Sequence, residues 1–357
     1  MKRRSFLKNA AFLTGAAMAA PALKGCSFVD KSEPAPSVAR DFRFRADGTF
    51  TVLQFTDTHY IVGDPRSRRA LECVKEALEG VKPDLVIHTG DIVFGRPDLD
   101  CAREILRPLA ESGIPWAVAL GNHDAQFGSS REAMFQAIRE LPGCVNQSPK
   151  DGVYGCSNDV ITLSGAKGVE RVFYLFDSMD AVVLKGEEEI HCYDYIRHNQ
   201  IAWYRAHSER FTSENKGQPV PSLAFFHIPL PELQEALDKG VQPLAGTNGE
   251  PSCPSRLNSG LFAQFRELGD VQAIVTGHDH DCDYVLPYGQ LYFIYGRFSG
   301  GDTIYNHLGP QGYIPSDDHT APGTVSGCRL FQFREGEPGF RTCVRLYGGE
   351  VQQTLDL

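Results

Sequence analysis

Cysteine pairs of the kind that hold structural metals are missing from this sequence. Nine cysteines follow Cys26, and no two of them are separated by only two residues. The absence of a C-x-x-C pair argues against a zinc knuckle and against a thioredoxin-type redox site. Disulfide bonds are still open, and Cys144 with Cys156 is the most local pairing, but spacing alone does not determine connectivity.

The sequence is also short of positive charge and of long apolar runs. Five of its 35 basic residues and none of its 45 acidic residues lie before Cys26, so 30 basic residues face 45 acidic ones in the remainder, a formal net charge of −15. Such a chain repels polyanions, and we expect no nucleic-acid partner. No stretch after the first 25 residues is apolar enough to span a bilayer, and no internal repeat is present.

The first 25 residues have the pattern of an export signal. A basic segment, Lys2–Lys8, precedes an alanine-rich segment, Ala10–Ala20, that is too short to span comfortably as a mature helix. The adjacent Arg3 and Arg4, followed by Ser-Phe-Leu-Lys, resemble the bacterial twin-arginine signal, which carries folded proteins. We therefore expect an exported protein, in the periplasm or at the cell surface, that leaves the cytoplasm with its metals bound.

Two processing sites fit the end of this signal. Leu23-Lys24-Gly25-Cys26 resembles a lipoprotein box, in which Cys26 would be lipidated, whereas Ala20-Pro21-Ala22 resembles an ordinary cleavage site. We favour lipidation of Cys26 and expect membrane contact only through that lipid. A soluble secreted enzyme is the alternative. Residues 26–40 are predicted to be a flexible, proline-containing tether, and residues 41–357 a folded domain.

Strand and helix patterns alternate in the first part of this domain. Side-chain polarity alternates along Thr49–Phe55, a segment rich in residues that favour β-strands, which predicts a strand. Ser67–Leu78 and Leu99–Ser112 have helical spacing. Each is followed by a buried strand, Pro83–Thr89 after the first and Pro115–Leu120 after the second. Strand and helix in alternation predict a largely parallel sheet with helices packed against it.

The pattern changes after a helix predicted over Met134–Leu141. Val153–Cys156 and Ile161–Leu163 are predicted to be antiparallel strands and Val172–Asp177 a buried one, so a second sheet is expected. A further helix is predicted to run to about Phe211. The remaining predicted strands are Leu223–Phe226, Val271–Thr276, Leu291–Tyr295, Arg329–Phe333 and Arg341–Leu346. The predicted fold class is therefore α/β with α+β character.

Side chains of metal-ligand type follow five of these strands. They are Asp57 and His59, Asp91, Asn122 with His123 and Asp124, His227, and His278 with His280. Residues two apart on a strand point to the same face, so Asp57 and His59 can approach one site. Open α/β sheets place their sites at the carboxyl ends of strands. Oxygen and imidazole donors without thiolate suit iron, manganese or zinc.

The order of these motifs, D-x-H, G-D, G-N-H-D, H and G-H-x-H, resembles that of the calcineurin-like metallophosphoesterase family from about Thr51 to Arg334. Phe226-His227-Ile228-Pro229 and Tyr295-Gly296-Arg297 look like the branch of purple-acid-phosphatase-like proteins. The resemblance implies a four-layer sandwich of two mixed β-sheets flanked by helices. It also implies that residues 41–357 are a metallophosphoesterase domain.

The same resemblance implies two divalent or trivalent metal ions that share one carboxylate. Asp57, His59, Asp91 and His280 would hold one ion, and Asp91, Asn122, His227 and His278 would hold the other. His123 would then be free to act beside the leaving-group oxygen, as general acid or as cationic stabiliser, with Asp124 fixing its ring. A structural histidine capped by Asp124 is the alternative.

One position departs from the purple acid phosphatases proper. Those proteins carry a tyrosine ligand three residues after the aspartate of the G-D motif, whereas Phe94 stands at that place here. A tyrosinate-bound iron is therefore not expected. The metal pair stays open among iron, manganese and zinc.

A dinuclear-metal phosphoesterase is the function that these residues imply. Two cations about 3.5–4 Å apart would clamp a phosphoryl group and lower the pKa of a bridging water. Metal-bound hydroxide would then hydrolyse phosphomonoesters or phosphodiesters of a small phosphorylated substrate, and we expect a monomer. The alternative is a cell-envelope lipoprotein that binds metal and phosphate or nucleotides with little turnover.

Other polar residues receive no committed role. His88, inside a buried strand, is expected to be a core histidine. His191, His198 and His207 are expected in polar or helical surface positions. A glycine-rich loop offers either substrate contacts or an ordinary solvated surface, through Arg297, Asp302, Tyr305 and His307.

Overall fold

The computed structural model describes residues 40–185, 189–303, 308–309, 312–313 and 325–357. Cys26, the predicted export signal and the predicted tether up to residue 39 lie outside the described residues. The 17 strands within the described ranges are β1 (Arg40–Arg43), β2 (Thr49–Phe55), β3 (Leu85–His88), β4 (Trp116–Val118), β5 (Asp159–Gly165), β6 (Gly168–Leu175), β7 (Ala181–Leu184), β8 (Ile190–Tyr193), β9 (Ser222–Phe225), β10 (Val271–Thr276), β11 (Val285–Tyr288), β12 (Leu291–Tyr295), β13 (Leu308–Gly309), β14 (Gly312–Tyr313), β15 (Gly327–Arg334), β16 (Arg341–Leu346) and β17 (Val351–Asp356). The six α-helices there are α1 (Arg68–Val81), α2 (Asp98–Ser112), α3 (Arg131–Arg139), α4 (His198–Glu214), α5 (Pro231–Asp238) and α6 (Leu261–Leu268).

Two mixed sheets form the body of the fold. One has six strands in the order β17-β16-β15-β2-β3-β4, and the other has seven in the order β1-β5-β6-β9-β10-β12-β11. In the first sheet β2, β3 and β4 are parallel, and β15 pairs antiparallel with β2. In the second sheet β6, β9, β10 and β12 are parallel. The parallel strands of each sheet therefore end at a common edge.

Alternation along the strands sends side chains to two faces of each sheet. Val52 and Ile87 of the six-stranded sheet pack in one core with Phe173 and Val275 of the seven-stranded sheet. This core lies between the two sheets, which stack face to face.

Helices cover the outer faces of both sheets. Leu53 and Val86 pack with apolar residues of α1, α2 and α3. Tyr174 and Ile274 pack in the same way with α4, α5 and α6. The layers are thus helix, sheet, sheet, helix, which confirms the predicted four-layer sandwich. Among the described residues, no helix is both long enough and apolar enough to cross a membrane.

The predicted strand Val153–Cys156 is wrong. The segment is a series of turns, in which Gly152 and Gly155 have φ angles of 74° and 82°. The backbone N–H of Cys156 donates to Asp177 Oδ2 at 2.8 Å instead of to a neighbouring strand. The left-handed glycines and this carboxylate therefore override the β-propensity of the segment.

Seven strands were not predicted: β1, β11 and β17 of the two main sheets, and the short antiparallel pairs β7–β8 and β13–β14. Strand β1 begins at Arg40, the last residue of the predicted tether, and pairs in parallel with β5. Both β1 and β17 lie at sheet edges, where exposed side chains weaken the apolar alternation that reveals a strand.

The cysteines of the described residues are all free thiols. They are Cys73, Cys101, Cys144, Cys156, Cys192, Cys253, Cys282, Cys328 and Cys343. Cys144 and Cys156 are therefore not paired with each other. Burial raises the pKa of both thiols, to about 12 at Cys144 and higher at Cys156.

Candidate metal centre

The ends of five parallel strands supply the candidate ligands. The six-stranded sheet supplies them after β2, β3 and β4, and the seven-stranded sheet supplies them after β9 and β10. Every one of these side chains is buried: Asp57, His59, Asp91, Asn122, His227, His278 and His280. Polar residues collected in this way at one edge of a fold indicate a binding site.

Ligand atoms of six of these side chains, together with His123, form three overlapping groups. Within each group the atoms all lie within 4.8 Å of one another. The groups are Asp57 with His59 and His280, His59 with Asp91 and His123, and Asp91 with His227 and His278. Asp91 Oδ2 lies 3.6 Å from His59 Nε2 and 3.1 Å from His227 Nε2. The structure thus brings six of the seven predicted ligands together, with Asp91 between the two predicted sets.

The backbone at four of these residues is held in the left-handed region. The φ angle is 55° at Asp57, 43° at His59, 52° at Asp91 and 84° at His278. Residues other than glycine rarely adopt this conformation, and each case costs on the order of 1 kcal/mol or more. The backbone is therefore strained at these four residues, and this strain is typical of residues that form a functional site.

Two glycines let neighbouring strand ends approach each other. A Cβ atom at Gly121 would overlap the Asp91 side chain, and one at Gly90 would overlap the backbone of Gly121. The G-D and G-N-H motifs can therefore lie against each other only because both positions lack a side chain.

Several polar side-chain atoms in the centre face one another or have no hydrogen-bond partner. His59 Nε2 lies 3.0 Å from His280 Nε2 and 3.7 Å from Asp57 Oδ1. His278 Nε2 and the side-chain oxygen of Asn122 are buried and make no hydrogen bond within the described part of the chain. A buried acceptor in this state costs about 1–3 kcal/mol unless a donor or a cation satisfies it. The residues therefore fit bound metal ions.

A family comparison classifies this centre. The family model described as calcineurin-like phosphoesterase matches residues 50–282, which contain all of the strand ends described above. The chain belongs to the calcineurin-like phosphoesterase family. The match confirms the resemblance inferred from the five motifs.

Relatives of this chain include purple-acid-phosphatase-like proteins. It is 31% identical over 309 residues to "Probable inactive purple acid phosphatase 14" of Arabidopsis thaliana, which covers 77% of this chain and 75% of that protein. "Probable inactive purple acid phosphatase 29" of the same plant is 30% identical over 315 residues, with 78% of each chain covered. "Phosphatase DCR2" of Saccharomyces cerevisiae is 26% identical over 284 residues, 71% of this chain and 48% of that protein.

Solved structures share the fold. A dimetal phosphatase from Danio rerio superposes with a TM-score of 0.54 at 13% identity, covering 86% of this chain and 98% of that one. GAP50, described as the anchor in the inner membrane complex of Plasmodium, gives a TM-score of 0.52 at 12% identity, with 87% and 88% covered. At such identities the likeness concerns the fold alone.

The pKa values of the histidines in this centre are shifted in two directions. Burial lowers the pKa of His59 and of His278 to about 4, so both rings are neutral at neutral pH. Burial also acts on His227, but the charges of Asp91 and Asp57 outweigh it and raise its pKa to about 9. His227 Nδ1–H donates to the Thr89 carbonyl at 2.7 Å, so Nε2 is the atom directed at Asp91. A metal ion must therefore displace a proton from His227 Nε2.

We expect the metal affinity of this centre to rise with pH. The pKa of His227 is higher in the folded protein than its ordinary value. The stability that this proton gives the metal-free protein is therefore fully present below about pH 6.5 and is lost as pH rises through about 9. Below about pH 9, each unit of pH should therefore increase the affinity for Mn²⁺ or Zn²⁺ about tenfold. Calorimetric titrations at about pH 7 and about pH 9 measure this change, and equal affinities would contradict it.

His123 lies at the open side of the centre. Its side chain is 25% exposed, and its Nε2 lies 3.9 Å from Asp91 Oδ2. Its Nδ1 lies 2.7 Å from Gln126 Oε1, and Gln126 Nε2 donates to Asp180 Oδ1 at 2.8 Å. Because the Gln126 amide group donates to Asp180, its oxygen accepts from His123 Nδ1–H. The other ring nitrogen, Nε2, is then the one nearer the centre.

Gln126 and Asp180 were not predicted as part of the site. The position of Gln126, three residues after His123, is a weak signal of its own, because such residues face each other across one turn of a helix. Nothing in the sequence relates Asp180 to them, since it lies 54 residues further on.

Contrary to the prediction, Asp124 does not fix the ring of His123. The chain forms a 3-10 turn at His123–Ala125, in which successive side chains point about 120° apart, so Asp124 turns into the protein. Its carboxylate accepts from the backbone N–H groups of Gly121 at 2.8 Å, Asp91 at 3.1 Å, Ile92 at 2.7 Å and Val93 at 3.3 Å. Asp124 therefore joins the turns after β3 and β4, and acts on the centre through them.

Replacing Asp124 by asparagine should lower the free energy of unfolding by about 3 kcal/mol. One side of the amide would place its own N–H groups against buried backbone N–H groups that have no other acceptor. Urea denaturation of the metal-free protein measures the loss. Asp151→Asn, at an exposed position, is the matched control. Equal unfolding free energies for the two variants would contradict this role.

A buried ion pair supports the turn after β4 and was also missed. Arg131 Nη1 donates to the Gly121 carbonyl at 2.8 Å, and Nη2 donates to the Leu120 carbonyl at 2.9 Å. The same guanidinium meets Asp177 Oδ1 at 2.5 Å. Arg131 stands at the start of a helix and Asp177 after a strand 46 residues later, so only the folded chain relates them.

The other histidines have mixed outcomes. His88 is a core histidine, as predicted, and its Nδ1 accepts from the backbone N–H of Gly90 at 3.2 Å. His191 and His198 are exposed, as predicted. His207 is buried, contrary to the prediction, because it packs among aromatic side chains of α4.

The glycine-rich loop supplies structural pairs at the two described positions. Arg297 Nη1 donates to Asp283 Oδ2 at 2.8 Å and is 7% exposed. Asp302 accepts from a guanidinium of helix α1 at 2.6 Å. Tyr305 and His307 lie outside the described residues.

Proposed function

We propose that this protein is a dinuclear-metal phosphoesterase that hydrolyses phosphomonoesters or phosphodiesters. The observation that carries the proposal is the position of Asp91 between two sets of buried ligand atoms. One carboxylate shared between two sets of oxygen and imidazole donors suits a pair of iron, manganese or zinc ions. Such a pair would neutralise the phosphoryl oxygens and lower the pKa of a water molecule beside it.

The carboxylates of the chain supply the negative charge that such ions need. Burial alone would raise the pKa of Asp57 and Asp91. The rings of His280 and His59 beside Asp57, and the charges of His227 and His123 near Asp91, hold both pKa values well below the usual range. Both side chains are therefore ionised at neutral pH.

His123 is the proposed general acid. Its Nδ1–H is engaged by Gln126, so a proton on Nε2 is the one directed at the open side of the centre. Transfer of that proton to the ester oxygen while the P–O bond breaks would let a poor leaving group depart as an alcohol.

A tyrosinate ligand is absent from the proposed centre. Phe94 occupies the position of that ligand, and its ring lies 5.2 Å from the His59 ring and 4.9 Å from the His123 ring, between centroids. A phenyl ring has no oxygen to donate. The proposed metals are therefore held by carboxylate, amide and imidazole groups.

A second candidate is a protein that binds metal and phosphate with little turnover. The names of two Arabidopsis relatives, which include the word inactive, favour it. The ligand side chains and a partly exposed His123 favour the enzyme. The two candidates differ in whether bound ester is converted to product.

A panel of chromogenic phosphomonoesters and phosphodiesters tests the proposal. We expect the protein reconstituted with Mn²⁺, Zn²⁺ or iron to hydrolyse at least one class, and the metal-free protein to hydrolyse none. Tight binding of inorganic phosphate by the reconstituted protein, with no hydrolysis across the panel, would contradict the proposal and support the second candidate, a binding protein. The proposed substrate is a small phosphorylated molecule, since a net charge of −15 after Cys26 disfavours nucleic acid. The proposed enzyme is a monomer.

We also propose that the enzyme acts in the periplasm or at the cell surface, held to the membrane through Cys26. The lipoprotein-like sequence before Cys26 supports this. Wild-type protein should partition into detergent, and Cys26→Ser should not. Cys253→Ser, which removes an exposed thiol of the folded domain, is the control and should partition like wild type. Wild-type protein cut after Ala22 and fully soluble would contradict the proposal.

A further inference from the structure

A cleft of about 830 Å³ lies outside the candidate ligand set and beside the turn that carries His278. Residues of the β7–β8 hairpin form one wall, and residues of α5 and of the segment 252–256 form the others. Ala181, Tyr193, Pro231 and Pro254 give these walls apolar surface. A cleft with aromatic and proline walls suits a flat apolar group better than a strongly hydrated one.

The cleft is built on the turn that carries two candidate ligands. The Tyr193 ring packs edge to face against the His278 ring, with centroids 4.3 Å apart. On the other wall, the Cys253 backbone N–H donates to Asp279 Oδ2 at 3.1 Å. Asp279 lies between His278 and His280 in the chain. A group bound in the cleft would therefore lie next to the metal centre.

The cleft also lies next to the candidate general acid. Asp180, which holds Gln126 and through it His123, immediately precedes Ala181. Ala181 pairs directly with Tyr193 across the hairpin. The hairpin that forms one wall of the cleft therefore carries both the ring that packs on His278 and, at its start, the carboxylate that holds Gln126.

Charges around the cleft disfavour a second anionic group. Two carboxylates of α5 line it: Glu235 pairs with Lys239, and Asp238 accepts from Gln234 at 2.8 Å. Arg256 is a basic side chain on the opposite wall. With Glu235 paired to Lys239, Asp238 and Arg256 are the remaining formal charges of these walls, so they give no excess positive charge of the kind that a second phosphate needs.

We propose that this cleft binds the organic group of the phosphate ester and selects esters whose organic group is an uncharged aromatic ring. The inference rests on the proposed phosphoesterase function. With the phosphoryl group at the metal centre, the ring would pack on Tyr193 and the two prolines and leave water, which favours binding. Tyr193 lines the cleft and also packs on the His278 ring, and this shared wall favours the organic group of an ester over a second copy of the chain or another protein.

The first test compares two esters that differ in the ring. The alcohols released from 2-naphthylmethyl phosphate and ethyl phosphate are both primary alkyl alcohols, so the chemical step is similar. Ala181→Trp should fill the cleft and lower kcat/KM for the naphthylmethyl ester about tenfold or more, with little change for ethyl phosphate. Ala166→Trp, at an exposed turn between β5 and β6, should change neither. Equal losses for both esters in Ala181→Trp would overturn the inference.

The second test measures binding and separates the inference from the proposed function. Metal-loaded wild type should bind 2-naphthylmethylphosphonate about tenfold or more tightly than methylphosphonate, and both Ala181→Trp and Arg256→Trp should remove this preference. If the preference is present but no ester is hydrolysed, the cleft is established and the phosphoesterase proposal fails. If wild type binds the two phosphonates equally, or if Ala181→Trp converts a dimer to a monomer in sedimentation, the inference is overturned.

Discussion

Replacing Asp91 by asparagine should remove most of the bound metal and lower phosphoester hydrolysis by about 10³-fold or more. Asparagine matches aspartate in shape and tolerates the left-handed φ of 52°. Its oxygen can still accept from the His123 backbone N–H, as Asp91 Oδ1 does at 2.8 Å. The variant lacks the charge and the second acceptor, which lies near both His59 and His227. Neither proposed ion would then have its shared anion.

Elemental analysis of the purified protein, paired with turnover and near-ultraviolet circular dichroism, measures this effect. Asp84→Asn is the matched control, because Asp84 lies before β3, at the opposite end of the strand from Asp91. Its carboxylate accepts from the Thr51 N–H at 2.7 Å. We expect the control to keep both metal equivalents and its activity. A folded Asp91→Asn protein with two metal equivalents and wild-type turnover would contradict the assignment.

Replacing His123 by alanine should keep the metals but lower turnover by about 10²–10⁴-fold on esters with poor leaving groups. Esters of acidic phenols should lose much less, because a good leaving group departs without a proton. The expected result follows from the position of His123, which is partly exposed at the centre while the ligand histidines are buried.

A series of aryl and alkyl phosphates of graded leaving-group acidity tests this dependence. His198→Ala, which removes an exposed histidine at the start of α4, should leave the whole series unchanged. Equal losses across the series in His123→Ala, with metal content unchanged, would exclude the acid role. His123 would then act as an electrostatic clamp on the phosphoryl oxygens.

The strand ends that form the centre could be predicted because their signal is local. An apolar run that stops in a polar motif marks the end of a buried strand, and parallel strands end at the same edge of a sheet. Asp57 and Asp91 were therefore expected near each other from their positions after two such runs. The pairing of β2 with β3 in the structure has this geometry.

The role of Asp124 could not be predicted, because it depends on a neighbouring strand. Adjacent residues in sequence suggested a contact between Asp124 and His123. The structure instead gives its carboxylate three N–H groups of the turn after β3, which are 31 to 33 residues away in the chain. Capping rules relate a side chain to backbone groups within one turn of its own helix. They do not describe a carboxylate that is shared between the loops after two strands.

Two other residues show the same limit. His207 lies on a helix among charged residues, and its sequence context suggested the surface. Its burial follows from packing against Trp203 and Phe211 on the same helix face, which covers the seven-stranded sheet. Arg131 could be placed on a helix but not in contact with Asp177, since that ion pair joins two layers of the sandwich.

Anomalous diffraction from crystals soaked in Mn²⁺ or Zn²⁺ tests the central claim most directly. Two peaks are expected, both in contact with Asp91. One should lie among Asp57, His59 and His280, and the other among Asn122, His227 and His278. A single peak that contacts only one of these sets, or two peaks with Asp91 bound to neither, would contradict a dinuclear centre built around that carboxylate.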